Sequence, residues 1–234
     1  HFESALLNAG HKVSRGVRHP RVTGDIAIDY CNDTNIETWI PRLAGIEAVV
    51  NAVGVLRDSK AQPMSRLHDA VPRALFAAAA QSGIKRIVQI SALGVGTGIN
   101  TPYMQTKQAA DEFLQTLNTD WAILRPSLIY GKNGASTRMF MLLSHMPLLM
   151  LPGGGKQIVQ PVHINDVAQA VVSLLAPGTT SPPLRRIIEV VGTDSVTIAG
   201  LISSYRIQRG SKAPWIVAMP ALMLNTMAWF GDRI

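Results

Sequence analysis

Apolar residues in this chain fall into short unbroken runs, separated by longer stretches in which they recur every three or four positions. The runs AVVNAV (residues 48–53), RIVQI (86–90) and AIL (122–124) show almost no alternation, the pattern of strands covered on both faces of a sheet. Helical spacing fills the intervals at residues 37–43, 66–82 and 103–117. Residues 1–10 read as the end of an amphipathic helix closed by Gly10, and short strands are expected at 12–17 and 25–30. Strands alternating with helices predict an α/β fold with a doubly wound parallel sheet, helices packing on both of its faces.

After Arg125 the texture changes. Gly- and Pro-rich connections such as Pro152-Gly153-Gly154-Gly155-Lys156 separate shorter apolar strands near Ile158 and at 187–191. The expected division is a core at residues 1–131 and a smaller mixed region at 132–234, with 158–176 returning to the core. Residues 213–230 carry no charge and are expected to form an apolar helical tail, although Pro214, Pro220 and Asn225 interrupt it. Trp215, Trp229 and Phe230 suit contact with a membrane or a membrane subunit; the plain alternative is a helix that covers the smaller lobe. Met139, Met141, Met146 and Met150 are either an adaptable apolar lining or core filling.

Composition narrows the function. With 47% hydrophobic and 16% charged residues the chain is a globular one with a sizeable core. Its single cysteine, Cys31, excludes an internal disulfide and offers no metal cluster, which fits a reducing compartment; the expected location is the cytoplasm, with any membrane contact on that side. The formal net charge is +7, but Lys and Arg are scattered and accompany no nucleic-acid module, so no nucleic-acid partner is expected.

Two motifs carry chemistry. Tyr103 and Lys107 stand four apart at the start of a helix, one turn above each other on one face. A nearby ammonium favours the phenolate, which lets the hydroxyl exchange a proton with an alcohol or carbonyl. The bland alternative is an exposed helical pair. The basic loop Arg15-Gly16-Val17-Arg18-His19-Pro20-Arg21 follows a strand in a presumed nucleotide half, where an acid would favour NAD and an arginine accepts the 2′-phosphate of NADP. No acid follows before Asp25, so NADP is expected over the alternative, NAD; a solvated basic turn is the plain reading.

In order along the chain, Val49-Val50-Asn51-Ala52-Val53-Gly54, KRIVQISALG (85–94), Tyr103 to Lys107, Leu124-Arg125-Pro126-Ser127 and PVHINDVA (161–168) resemble the extended and atypical short-chain dehydrogenase/reductase superfamily. The resemblance covers most of residues 5–192. It is closest to the NAD(P)-binding branch that includes the complex I nucleotide-binding accessory subunit and bacterial epimerase/dehydratase-like proteins, some of which continue into a C-terminal membrane domain. It implies a Rossmann-like fold whose smaller C-terminal lobe takes the substrate. It further implies that Arg18 meets the 2′-phosphate and that Asp29 lies near the adenine. Ala52 and Val53 would flank the adenosine and ribose through backbone contacts, Tyr103 and Lys107 would sit beside the nicotinamide ribose, and Pro126 and Ser127 would approach the carboxamide. Plain alternatives stay open: Asp29 caps a loop, Ser127 satisfies a turn, and His163 with Asp166 fixes a helix start.

The sequence departs from the family in two places. The first strand and glycine-rich turn, whose amides hold the pyrophosphate, are expected ahead of His1, and a polypeptide without them would bind dinucleotide poorly. Leu93 holds the place of the catalytic Ser or Thr, with Ser91 or Thr97 as candidate substitutes. The leading expectation is an NADP-dependent oxidoreductase or epimerase/dehydratase-like enzyme acting on a small carbonyl or hydroxyl substrate, with Tyr103, Lys107 and Ser91 catalytic. The alternative is a non-catalytic NADP(H)-binding structural, assembly or redox-sensing protein.

Overall fold

The computed structural model describes residues 1–132, 134–176, 178 and 183–220 of the 234-residue chain. In chain order its helices and strands are α1 (Phe2–Asn8), β1 (Gly16–Val17), β2 (Ile26–Ala27), α2 (Ile36–Trp39), β3 (Ala48–Asn51), α3 (Val71–Gln81), β4 (Arg86–Ile90), α4 (Pro102–Thr116), β5 (Trp121–Pro126), β6 (Ile129–Tyr130), α5 (Ala135–Leu143), β7 (Leu148–Pro152), β8 (Ile158–Val159), β9 (Val162–His163), α6 (Ile164–Leu175), β10 (Arg186–Val190), β11 (Val196–Thr197), α7 (Ile198–Gln208) and β12 (Trp215–Met219). The chain divides into two compact units, His1–Pro126 with Asn165–Val190, and Ser127–Ile164 with the described residues from Val191 onward.

The unbroken apolar runs become neighbours in the first unit. Strands pair in the order β10-β5-β4-β3, all parallel, with Val49 opposite Ile87 and Leu124 opposite Ile188. Successive side chains leave opposite faces, and the core follows that period. Val49, Ile87 and Ile123 pack with Trp39 of α2, Phe76 of α3 and Leu114 of α4. Val88, Ile90 and Leu124 pack with Leu6 of α1 and Val171 of α6. Both faces are therefore covered by helices, as the unalternating runs require. β1 and β2 are shorter than the strands expected at 12–17 and 25–30, and they form a separate parallel pair. A cavity of about 160 Å³ is lined by Gly16 and Ile26 from that pair, by Ser14 just before it and by Ala48, Val50 and Asn51 of β3.

Proline accounts for the interrupted helices. The expected helix at 37–43 is α2 followed by a 3₁₀ turn, Ile40–Leu43, which contains Pro41. The expected helix at 66–82 starts instead as a π-helical turn, Ser65–Ala70, and becomes α-helical at Val71. Pro72 lacks the amide that an unbroken helix would aim at the His68 carbonyl, and the widening falls in the turn before it.

Beneath the sheet lies a buried ion pair. Arg86, 1% exposed, donates from Nε to Asp120 Oδ2 at 2.8 Å and from Nη2 to the same oxygen at 2.5 Å, and from Nη1 to the Leu174 carbonyl. The second oxygen of Asp120 accepts from the Leu184 amide at 2.7 Å. One pair thus joins β4, the entry to β5, the end of α6 and the segment leading into β10.

Three expectations need correction. The strand expected at 187–191 belongs to the main sheet, as β10 beside β5, because its Ile188 and Val190 fill the α1–α6 face. The chain at Trp215–Met219 is a strand, not the start of a helix; β12 pairs in parallel with β7, Trp215 opposite Leu148. Residues 221–230 of that expected tail lie outside the described residues, among which no helix is long and apolar enough to cross a membrane. Met139, Met141, Met146 and Met150 are all exposed, while the core of the second unit is made by Phe140, Leu149, Leu151 and Ile202. Gly155 is required there: its φ is +68°, and a Cβ would stand 2.7 Å from Leu151 Cδ1 and 3.0 Å from the Ala199 amide nitrogen.

Asp120→Ala deprives the buried Arg86 of its carboxylate. We expect a loss of about 3–5 kcal/mol in unfolding free energy, read from the urea midpoint with an unchanged slope.

Candidate functional site

At the carboxyl ends of β3 and β4, helix α4 brings its polar face against the sheet. Thr101 starts α4: its side chain accepts from the Met104 amide, and Pro102 follows at the first helical position. Tyr103 and Lys107 then fall one turn apart, and a further turn down comes Asp111.

Lys107 is 3% exposed. Its ammonium donates to the Ile90 carbonyl at 3.0 Å and the Val53 carbonyl at 3.4 Å, which ties α4 to the ends of both strands. Burial lowers its pKa to about 8, against the opposing pull of Asp111. The turn after β3 comes close because residue 54 is glycine: a Cβ there would stand 3.3 Å from Lys107 Nζ and 3.6 Å from His68 Nε2. Tyr103 is half-buried, and burial raises the pKa of its hydroxyl. The lowering expected from the neighbouring ammonium is therefore reversed. Desolvation of the phenolate dominates, and the ammonium is spent on two carbonyls.

Ser91 ends up elsewhere. Its hydroxyl donates to Asp111 Oδ2 at 2.7 Å, an oxygen that also accepts from Arg125 Nη2 at 3.1 Å. Asp111 is fully buried with Oδ1 unpartnered, and burial pushes its pKa up. Ser91, Asp111 and Arg125 thus form an internal network that locks α4 to β4 and β5. Leu93 is pinned by its amide to the Pro126 carbonyl at 2.9 Å, and Thr97 is exposed with its hydroxyl on the Gly94 carbonyl at 2.7 Å.

The nucleotide-end residues expected from sequence are partly committed. Val53 donates its amide to Asn51 Oδ1 at 3.3 Å and gives its carbonyl to Lys107, so its backbone serves the protein, while Ala52 is exposed. Asn51 continues a buried polar chain across the sheet, donating to Gln89 Oε1 at 2.7 Å and accepting from the Tyr30 hydroxyl at 2.6 Å; Gln89 Nε2 is unpartnered. Asp29 sits in the turn after β2, accepting from the Cys31 amide at 2.9 Å and Asn32 Nδ2 at 2.7 Å, which with Arg18 nearby holds its carboxyl down. Arg18 is exposed, reaches Cys31 Sγ at 3.8 Å and makes no ion pair among the described residues. Pro126 is buried at the end of β5 and Ser127 follows half-buried. Asp166 lies in the first turn of α6, and His163 packs edge-on against Tyr130, ring centroids 5.1 Å apart.

Sequence reasoning missed His68. It is 1% exposed, accepts the Val55 amide on Nε2 at 2.9 Å, meets Thr106 Oγ1 through Nδ1 at 3.1 Å, and lies edge-on to Tyr103 with centroids 5.3 Å apart. It also missed Asp111, which the four-residue step from Tyr103 through Lys107 could have found.

The site fits a dinucleotide in one specific respect, the donor set. Lys107 has three N–H donors and two are on carbonyls, which leaves one for a ribose hydroxyl beside Tyr103. A family model described as NAD(P)H-binding matches residues 1–177. Among curated proteins the chain is similar to NADH dehydrogenase [ubiquinone] 1 alpha subcomplex subunit 9, mitochondrial, of Arabidopsis thaliana, 27% identical over 77% of this chain and 46% of that protein. It is also similar to the NADH-ubiquinone oxidoreductase 40 kDa subunit, mitochondrial, of Neurospora crassa, 22% identical over 91% of this chain and 58% of that one. The chain thus spans about half the length of these relatives. Among solved structures, the enzyme WbmG of Bordetella bronchiseptica in complex with NAD superposes with a TM-score of 0.72 at 16% identity, covering 94% of this chain and 77% of that one. The UDP-N-acetylglucosamine 4-epimerase of Bacillus cereus gives 0.70 at 18% identity, covering 98% and 84%. These structural likenesses establish a Rossmann-like fold.

The buried ammonium has a measurable pH signature. Lys107 has a folded pKa near 8 against 10.5 for the free side chain, so between these values the unfolded chain binds the extra proton. Stability contributed by this group therefore rises with pH in that window. The unfolding free energy of the wild type minus that of Lys107→Met should increase between pH 8 and 10.5, with a slope approaching about 1.4 kcal/mol per pH unit.

Proposed function

The chain belongs to the NAD(P)H-binding family, and from that premise we propose that it binds NADP(H) and works as an oxidoreductase of the short-chain dehydrogenase type on a small carbonyl or hydroxyl substrate. The observation that carries the reading is Lys107, a buried cation anchored on the ends of β3 and β4 directly below Tyr103. In this reading its remaining N–H holds a hydroxyl of the nicotinamide ribose. A bound nicotinamide supplies the hydride chemistry.

The chain's own groups handle the proton. Tyr103 keeps its hydroxyl proton through the neutral range because burial disfavours the phenolate, so it serves as the donor to a carbonyl oxygen and the acceptor from an alcohol. Ser91 is a positioning residue in this scheme: its proton goes to Asp111, which holds α4 in register with β4. Arg18, exposed and without an ion pair among the described residues, supplies the cation for a 2′-phosphate and is the basis for NADP over NAD.

One observation favours a second reading, a non-catalytic NADP(H)-binding structural or assembly protein. The Ser91 hydroxyl is occupied and Leu93 stands where a second hydroxyl would assist Tyr103. The similarity to subunits of NADH dehydrogenase complexes points the same way.

Turnover separates the two. Against a panel of small aldehydes and ketones, the oxidoreductase reading predicts NADPH consumption at saturating nucleotide that falls about 10²–10⁴-fold in Tyr103→Phe. Binding without consumption at high protein concentration supports the second reading; no binding of either nucleotide sinks both. Arg18→Glu should weaken NADPH about tenfold or more while leaving NADH little changed; equal losses would remove the 2′-phosphate role.

A further inference from the structure

His68 has no assigned part in the reading above, yet its side chain meets the turn after β3 and two residues of α4, Tyr103 and Thr106. Val55 donates its amide to Nε2 at 2.9 Å, so this nitrogen carries a lone pair and the ring proton sits on Nδ1. Nδ1–H then donates to Thr106 Oγ1 at 3.1 Å, whose own proton has the Pro102 and Tyr103 carbonyls within reach at 2.8 and 3.1 Å. The ring stands nearly perpendicular to that of Tyr103. Its residue lies in the π-helical turn ahead of α3, a widening common at functional sites.

We propose that His68 is a positioning residue, an imidazole protonated only on Nδ1 that ties the Gly54–Val55 turn to Thr106 of α4 and so fixes where Tyr103 and Lys107 stand. The inference rests on the reading of those two residues as the nucleotide end of the site. A second proton on Nε2 would point at the Val55 N–H and break the tie. The charged groups that bear on the ring are Lys107 from α4, which opposes a second charge, and Asp58 from the loop after β3, which favours one. Burial sides with Lys107, and the imidazole pKa falls to about 4. The clamp therefore holds throughout the neutral range. Without it, the Gly54–Val55 turn loses its hydrogen bond to the π-helical turn ahead of α3, and the Val53 carbonyl that receives the ammonium loses its fixed place.

Long-range ¹H–¹⁵N imidazole spectra of the full chain test the clamp directly, with His68 among the 6 histidines identified by its loss in His68→Phe. The expected result is the Nδ1–H tautomer, unchanged between pH 5.5 and 8. An Nε2–H tautomer, or titration with a midpoint near the usual value of about 6.5, overturns the proposal. The second measurement is NADPH affinity. His68→Phe keeps an aromatic ring beside Tyr103 but loses both hydrogen bonds, and affinity should fall about tenfold in a protein that remains folded by circular dichroism. His68→Gln, which can accept from Val55 and donate to Thr106, should recover most of it. Unchanged affinity in folded His68→Phe overturns the positioning role. If the wild type binds no nucleotide, the dinucleotide reading fails while the tautomer still decides whether the clamp exists.

Discussion

The site depends on one buried cation. Lys107 occupies a position where a lysine ammonium has almost no water, and what makes that tolerable is a pair of carbonyls, Ile90 at the end of β4 and Val53 in the turn after β3. Strand ends in a parallel sheet leave carbonyls without ladder partners, and α4 crosses them at the height where one lysine can reach two strands. Glycine at position 54 lets the turn close over the ammonium. Removing the charge would leave these acceptors unserved, and removing the close turn would leave the charge exposed to solvent on one side. Position of helix, length of strand and identity of the turn residue are thus parts of one constraint.

That constraint sets the chemistry around it. Burial, helped by the fixed positive charge of Lys107, keeps the His68 imidazole neutral, and a neutral imidazole can accept the Val55 amide. Tyr103 stands in the same dry surroundings and holds its proton more firmly than in water. On the far side of Lys107, Asp111 gathers Ser91 and Arg125, so that the helix is fixed at both the Tyr103 end and the Asp111 end. The Arg86–Asp120 pair does comparable work below the sheet, joining strands that are distant in sequence. Every group named here belongs to the unit made of His1–Pro126 and Asn165–Val190.

Much of this frame was legible in the chain. Unbroken apolar runs at 48–53, 86–90 and 122–124 mark strands covered on both faces, and they are adjacent in the sheet. The four-residue step from Tyr103 to Lys107 places both on one face of α4. What escaped was set by partners remote in sequence. Ser91 reads as a hydroxyl at a strand end, and only the fold shows that Asp111 claims it. Val53 reads as a backbone free for a ligand, yet Lys107 and Asn51 use both of its polar groups. Trp215–Met219 has a composition that suits an apolar helix as well as a strand, and its pairing with β7 decides the matter. His68 carries no local pattern at all, since its role comes from Val55 and Thr106 meeting on either side of it.

In the proposed function, nucleotide is held at the Lys107 end of this unit. Lysine side-chain ¹H–¹⁵N spectra of the full chain, with Lys107 assigned through Lys107→Arg, would follow the ammonium itself. The expected result is a slowly exchanging Lys107 signal at neutral pH, because both carbonyl bonds and burial protect it, and a clear shift of that signal as NADPH saturates the protein. A Lys107 signal that stays in place while NADPH binding saturates would contradict the account and put the nucleotide elsewhere.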